Sequence, residues 1–498
     1  MKSMFTRRLF LGGVAATALN SAALANAPVA SLRPQLRGAD FARRAGGGAD
    51  GLIARFGLPG EVACAVADVT SGLQLEAVNG ETGMPPASVA KALTALYALD
   101  AMGPGHRFRT RLLTRGAIAN GVLNGDLILA GGADPTLDTD ALAGLAAALK
   151  AAGVREVRGA FEVYDGMLPY VKTIDTDQPD HLAYSPAVSG IGLNFNRVHF
   201  EWKLTANGYV ATMDGRTAKY RPAVSMAKMR IVRRNLPVYA YSDQNGVDQW
   251  SVASSALGKG GVRTLPVRKP ALYAGDVFRT LARSNGIVLK QAKVIHRLPP
   301  GARTIASHDS GRLDDILKAM LKYSNNLTAE TVGMAASVAR GHRPGSLRES
   351  AAEMSRWAAM ALGMMNTKLV DHSGLGSASR MPPSDLVGAL VKVRQEENLR
   401  HLLKPFLMRD SQGRVNKAHP IKVDAKTGTL NFVSGLGGYM TAADGTELAF
   451  AIFAADEGRR ARIKKADRER PQGGAHWNRQ AKKLQQKLIE RWGSLYGS

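Results

Sequence analysis

Residues 85–101 read Pro85-Pro86-Ala87-Ser88-Val89-Ala90-Lys91-Ala92-Leu93-Thr94-Ala95-Leu96-Tyr97-Ala98-Leu99-Asp100-Ala101. Val89, Ala92, Leu93, Leu96, Tyr97 and Leu99 cover most of the surface of a 3.6-residue turn, and a helix apolar nearly all round is a buried one. Ser88 falls at its start, behind the two prolines. Just upstream, apolar runs at 61–67 and 73–78 flank Thr70-Ser71-Gly72, the pattern of a β-hairpin. Near the other end of the chain, 422–430 and 436–441 read as strands, and Ala443-Asp444-Gly445 turns the chain into a further strand at 447–455. A last helix carries Trp477, Ala481, Leu484, Leu488 and Trp492 on one stripe. Hairpin, buried helix, long middle, more helices, hairpin and terminal helix predict an α+β fold whose one sheet takes strands from both chain ends.

The middle changes character twice. Residues 125–132 read as a strand entering a loop, and 139–153 as a helix closed by glycine. From about 205 to 266 come short alternating strands, many turns and scattered basic residues. A helical pattern resumes at 270–284 and stops at Asn285-Gly286; 313–323 and 327–340 are two more apolar helices. There is no internal repeat and no long low-complexity tract.

Three short motifs occur in order: Ser88-Val89-Ala90-Lys91, Ser324-Asn325-Asn326 and Lys426-Thr427-Gly428. They match the S-x-x-K, S-x-N and K-T-G set of penicillin-interacting serine enzymes. S-x-x-K alone is weak, and Ser225-Met226-Ala227-Lys228 is a second copy. Its flanks make no buried helix, so Ser225 reads as the decoy. A serine hydroxyl needs an adjacent base to become a nucleophile, and residues i and i+3 share a helical face, which puts Lys91 beside Ser88. Lysine is a base only when neutral; lowering its pKa by roughly 3 units from about 10.4 takes about 4 kcal/mol. Burial and repulsion from Lys426 both push that way. Ser324 then suits a proton relay between Lys91 and Lys426 toward the leaving amine, and Asn326 an amide that holds a peptide backbone. Lys426 and Thr427 suit a terminal carboxylate, and Gly428 lets substrate lie against the strand. The N–H groups of Ser88 and Thr429 are the expected oxyanion donors.

With 498 residues, the chain is long enough for two to four domains with their own cores. Residues 1–8 are basic and contain Arg7-Arg8, an alanine-rich apolar segment runs to about Leu24, and small residues at Ala23, Ala25 and Ala27 suit a signal peptidase. The paired arginines followed by Leu9-Phe10-Leu11 match a twin-arginine export signal; either export route ends outside the cytoplasm. Cys64 is the one cysteine, so no intrachain disulfide forms, and its apolar surroundings mark a core residue. The net charge of +25 favours anionic partners. Much of it is concentrated in Arg459, Arg460, Arg462, Lys464, Lys465, Arg468 and Arg470, a solvated flexible loop or a surface for acidic wall or membrane. In an exported protein nucleic acid is a poor partner. The histidines have no metal-ligand spacing, so no zinc site and no cofactor are expected.

On these residues the chain resembles the D-alanyl-D-alanine carboxypeptidase/endopeptidase family of the penicillin-binding protein 4 class. More than two hundred residues separate Ser88 from Ser324, far more than in β-lactamases and smaller carboxypeptidases of that superfamily. Gly131-Gly132-Ala133-Asp134-Pro135-Thr136-Leu137, Tyr184-Ser185-Pro186 and Asp371-His372-Ser373-Gly374-Leu375 are similar to family segments. The resemblance implies a transpeptidase-like domain, an antiparallel sheet flanked by helices, interrupted by a long insert that forms two smaller domains. The expected division is an export signal at 1–27, the transpeptidase-like domain at 28–104 and 306–498, an inserted domain at 105–204 and 267–305, and a nested insert at 205–266. It implies peptidoglycan muropeptides as substrates and β-lactams as covalent inhibitors. A β-lactamase or esterase on the same fold, or a non-catalytic wall-binding or β-lactam-sensing protein, are the alternatives. His372 stands where the family has glycine, and a positive φ there would strain it. Gly376 replaces a usual serine. Asp371-His372 also tempts a Ser-His-Asp reading, which adjacency does not support.

Overall fold

A computed structural model of the chain describes residues 47–394 and 399–497. The export segment expected at 1–27 lies outside them. Strands from both chain ends do share one sheet. It is fully antiparallel, in the order Lys404–Pro405, Lys422–Leu430, Val433–Thr441, Glu447–Ala455, Glu61–Asp68, Gln74–Val78. Cys64 lies opposite Ile452 at the junction of the two ends.

Both faces of this sheet are covered, so its central strands Glu61–Asp68, Val433–Thr441 and Glu447–Ala455 are buried at successive positions rather than alternately. Val62, Cys64, Val66, Leu436, Met440, Phe450 and Ile452 pack with Trp477, Leu484, Leu488 and Trp492 of the terminal helix Gly474–Leu495. Cys64 is completely buried, and burial pushes its thiol up to about 12, which makes it a packing residue. The opposite face is lined by Ala63, Ala65, Ala67, Ala449, Ala451 and Phe453. Against it lie the helices Ala90–Met102, Leu313–Tyr323, Asn326–Ala339, Leu347–Leu362 and Pro383–Arg394. Small side chains on the strands bring this helical layer close. The last two helices are not among those read from the sequence, although Ser346 with Glu349 is a capping signal; Ser346 Oγ accepts the Glu349 N–H at 3.2 Å.

The stretch between Met102 and Leu313 builds a second apolar core. A mixed sheet in the order Lys293–Ile295, Phe161–Tyr164, Val122–Ala130, Arg109–Ala119, Arg303–Asp309 packs with the helices Thr139–Ala151 and Pro270–Ser284. Two three-stranded sheets follow, Gly260–Pro266 with Arg197–Thr205 and Gly208–Asp214, and Tyr239–Gln244 with Val247–Ala253 and Ala227–Val232. Phe200, Trp250 and Val252 join Leu127, Phe161 and Phe278 in the same core. Two expected boundaries move. Arg197–Lys203 pairs with Gly260–Pro266, so the nested sheet starts at Arg197 rather than at 205. Arg303–Asp309 pairs with Arg109–Thr114, so the inserted sheet ends at Asp309 rather than at 305.

Candidate active site

The helix Ala90–Met102 is entered through a single 3-10 turn, Ala87–Val89, that carries Ser88. Ala87 sits at φ +45°, a conformation that costs an alanine about 1–3 kcal/mol. Two glycines hold the turn. A Cβ on Gly374 would lie 1.8 Å from the Ala87 carbonyl oxygen, and one on Gly428 would lie 2.7 Å from that of Pro86 and 3.1 Å from the Ser88 nitrogen. Gly428 therefore makes room for the Ser88 turn against the strand.

Lys91 is completely buried one turn on. Its Nζ lies 2.9 Å from Ser88 Oγ, 2.8 Å from Asn326 Oδ1 and 2.7 Å from the Ser373 carbonyl oxygen. The amide and peptide oxygens are acceptors only, so they fix two N–H directions of Lys91. In the neutral amine the third direction is the lone pair, and it meets the Ser88 hydroxyl. Burial lowers the Lys91 pKa to about 8, against the opposing charges of Glu330 and Asp371.

The other two motifs arrive on separate elements. Ser324 ends the helix Leu313–Tyr323 in left-handed conformation, and Asn325 caps the next helix, accepting the Thr328 N–H at 3.1 Å. This sharp junction turns Ser324 toward Lys426, whose Nζ donates to Ser324 Oγ at 3.0 Å and to the Thr427 carbonyl at 2.6 Å. Ser324 makes no hydrogen bond to Lys91, so it bridges to one lysine rather than both. Asn326 is engaged at both ends, its Oδ1 by Lys91 and its Nδ2 on the Tyr184 carbonyl at 2.9 Å. Burial, then the charges of Lys91 and Lys404, hold the Lys426 pKa well below the usual lysine range.

Thr427 and Thr429 are exposed on the Lys422–Leu430 strand. The Lys404–Pro405 strand pairs only with Ala425 and Asp424, so the edge beyond is unpaired among the described residues. The Phe406 N–H donates to the Val423 carbonyl at 2.8 Å. By strand alternation the backbone groups of Thr427 and Thr429 face the same, open edge. A substrate strand and an oxyanion both need such donors.

The decoy falls apart in three dimensions. Ser225 precedes a strand, Ala227–Val232, rather than a helix, and its Oγ donates to Asp276 at 2.8 Å. Asp371 and His372 form no triad with Ser88. Asp371 accepts the N–H groups of Gly374 and Gly376 at 2.6 Å each. His372 is buried against Ser350 Oγ at 2.8 Å, and burial lowers its pKa to about 3. Nor is His372 strained: the positive φ in this loop belongs to Gly374. The imidazole fits because residue 333 is glycine; a Cβ there would lie 2.2 Å from the ring. Sequence reasoning gave Glu330 and Ser373 no role: Glu330 stands in no motif and acts through the loop, and Ser373 stands in the 371–375 segment but meets Lys91 only through its backbone carbonyl.

The basic segment is folded rather than loose. It forms the short helix Glu457–Ala461 and a 3-10 turn at Lys465–Asp467. Arg468 pairs with Asp177 at 3.2 Å, Lys465 with Asp180 at 3.5 Å, and Glu469 takes both His181 and Arg263 at 2.8 Å. These partners flank Tyr184, whose carbonyl holds Asn326.

The profile of the D-Ala-D-Ala carboxypeptidase 3 (S13) family matches residues 51–476. The chain is 26% identical over 394 residues to D-alanyl-D-alanine carboxypeptidase DacB of Haemophilus influenzae, covering 75% of this chain and 81% of that one. It is 28% identical over 421 residues to D-alanyl-D-alanine carboxypeptidase of Actinomadura sp. (strain R39), covering 78% and 76%. Its fold is similar to that of penicillin binding protein 4 from Haemophilus influenzae, solved in complex with a β-lactam. There the TM-score is 0.66, with 23% identity over 81% of this chain and 92% of the other.

Proposed function

The chain belongs to the D-Ala-D-Ala carboxypeptidase 3 (S13) family, and from that premise we propose how its convergent side chains divide the work. The protein is a serine D-alanyl-D-alanine carboxypeptidase/endopeptidase of peptidoglycan that β-lactams acylate. Ser88 is the nucleophile and Lys91 its base. The Lys91–Ser88 contact of 2.9 Å, with the other two N–H directions of Lys91 already taken, carries this assignment.

As Ser88 Oγ bonds the scissile carbonyl carbon, its proton passes to Lys91 Nζ. When the C–N bond breaks, the departing D-alanine nitrogen takes a proton from the Ser324 hydroxyl, which Lys426 replaces. The oxyanion is held by the N–H groups of Ser88 and Thr429, each worth roughly 10²–10³ in rate. Water then attacks the ester and gives a proton back to Lys426 through Ser324, while Lys91 returns its own to Ser88. Lys426 and Thr427 supply the charge and hydroxyl for the substrate carboxylate, and Asn326 orients Lys91. Ser88→Ala is expected to abolish both muropeptide cleavage and fluorescent-penicillin labelling, with the wild-type adduct on the Ser88 peptide. Survival of either activity, or an adduct on Ser225, overturns the assignment. Sustained nitrocefin turnover in place of a stoichiometric burst points to a β-lactamase instead.

The same reading places the protein outside the cytoplasm by twin-arginine export through Arg7-Arg8, with no nucleic-acid partner. Lysines at both positions are expected to retain it in the cytoplasm on fractionation; unchanged export removes the idea. The inserted part is taken as two smaller units, a sheet layer and a nested pair of sheets. Arg462, Lys464 and Arg470, exposed and without an ion pair among the described residues, form a patch for acidic wall or membrane.

A further inference from the structure

Glu330 takes no part in the chemistry above, yet it is completely buried on the first turns of the helix Asn326–Ala339. Its two oxygens do not touch Lys91. They accept backbone N–H groups, Oε2 from His372 and Oε1 from Ser373, each at 2.9 Å. The same loop returns the Ser373 carbonyl to Lys91 at 2.7 Å and wedges Gly374 against the Ala87 carbonyl. Asp371 tightens the turn through Gly374 and Gly376 at 2.6 Å. The loop therefore touches both the base and the nucleophile turn, and Glu330 is its anchor to the helical layer. Without it, two buried N–H groups lose their partners, a strong force for the loop to move.

Resting on the reading of Lys91 as the base, we propose that Glu330 is a positioning residue, clamping the 371–376 loop so that the Ser373 carbonyl holds one N–H of Lys91 and leaves its lone pair on Ser88. The charged and titratable groups facing it are Lys91 from the Ala90–Met102 helix and Asp371 and His372 from the loop, with Lys426 beyond Lys91. Both oxygens already accept N–H groups, an arrangement that satisfies the carboxylate and leaves no partner for a carboxylic O–H. Burial and the Asp371 charge nevertheless push its pKa up to about 8.

The test is the pH profile of acylation by a fluorescent penicillin, measured per folded molecule after gel filtration. Glu330→Gln keeps the size but loses the charge and one acceptor. It is expected to lower the plateau rate by roughly 100-fold, the effect of a misplacement of about 1 Å. It also moves the top of the ascending limb to lower pH, because the negative charge that Glu330 gains as it ionises near pH 8, and that favours protonated Lys91 there, is gone. Glu330→Asp, which keeps the charge on a shorter arm, loses plateau rate but keeps the limb in place. A purely structural residue lowers melting temperature without moving the limb. An unmoved limb with a plateau within threefold of wild type overturns the clamp, as does failure of both variants to fold, which assigns the carboxylate to folding alone. Lys91→Ala separates the two readings. If it still acylates, the base assignment fails whatever Glu330 does; if it is dead while Glu330→Gln acylates normally, only the clamp fails.

Discussion

Lys91 must be neutral to take the Ser88 proton, yet Glu330 and Asp371 favour its charged form, and burial is what outweighs them. The balance sits at about 8, against an ordinary 10.5, so the sign of the pH dependence follows. Below that value Lys91 is protonated and cannot act; the acylation rate is expected to rise about tenfold per pH unit up to about 8 and then level. A rate independent of pH between 6 and 8 would remove Lys91 as the base. The Ser88–Lys91 pair was legible in the sequence because a spacing of three on a buried helix is a local fact. Glu330 and Asp371 were not. They act on Lys91 through the 371–376 loop, which reaches it from 282 positions along the chain, and a lone glutamate in an apolar helix has no spacing to announce what its oxygens meet.

At the scale of elements, apolar runs long enough to fill a strand or helix gave their positions directly. Pro270–Ser284, Leu313–Tyr323 and Glu447–Ala455 start and stop where the sequence pattern does. Less legible was how two elements accommodate one another. The packing of the Asn326–Ala339 helix on the 371–376 loop depends on Gly333 and His372 together, since a Cβ at 333 falls 2.2 Å from the ring. Gly333→Ala, favoured by helix propensity alone, is therefore expected to destabilise the fold by about 1–3 kcal/mol through overpacking. Combined with His372→Ala, which vacates the space, it should cost less than the sum of the two single changes. A double-mutant cycle from urea unfolding checks this; strict additivity says that the helix and loop do not share that volume. The ring also belongs to a buried chain from Tyr97 through Ser337 and Ser350, with links of 3.0, 2.8 and 2.8 Å. His372→Ala alone is accordingly destabilising.

Across the whole molecule, the inserted part and the sheet part meet at the Ser88 site from two directions. The Tyr184 carbonyl holds Asn326 from one side, and the 457–470 segment ties down the chain around Tyr184 from the other. The sequence showed that segment only as a run of positive charge, because its acidic partners Asp177 and Asp180 lie nearly three hundred residues away. Arg459 pairs with Asp456 and Arg460 donates to the Asn431 carbonyl; the other cations split into two sets. Arg468 and Lys465 are paired to the insert, with Glu469 between His181 and Arg263, whereas Arg462, Lys464 and Arg470 face solvent. Exposed ion pairs contribute about 0–1 kcal/mol each, so the paired set acts as a weak clasp rather than as a pillar of stability. Replacing Arg468 and Glu469 by alanine is expected to leave the melting temperature within a few degrees of wild type. Hydrogen exchange at the amides of 175–186 should quicken and acylation should slow severalfold, since Asn326 loses a fixed partner and Lys91 loses direction. Neutralising Arg462, Lys464 and Arg470 should do the reverse, leaving acylation intact while weakening the salt-sensitive binding of isolated sacculi. If acylation and sacculus binding fall together in both variants, the segment is one undivided surface; if exchange at 175–186 is unchanged in the first variant, the clasp has no hold on the site.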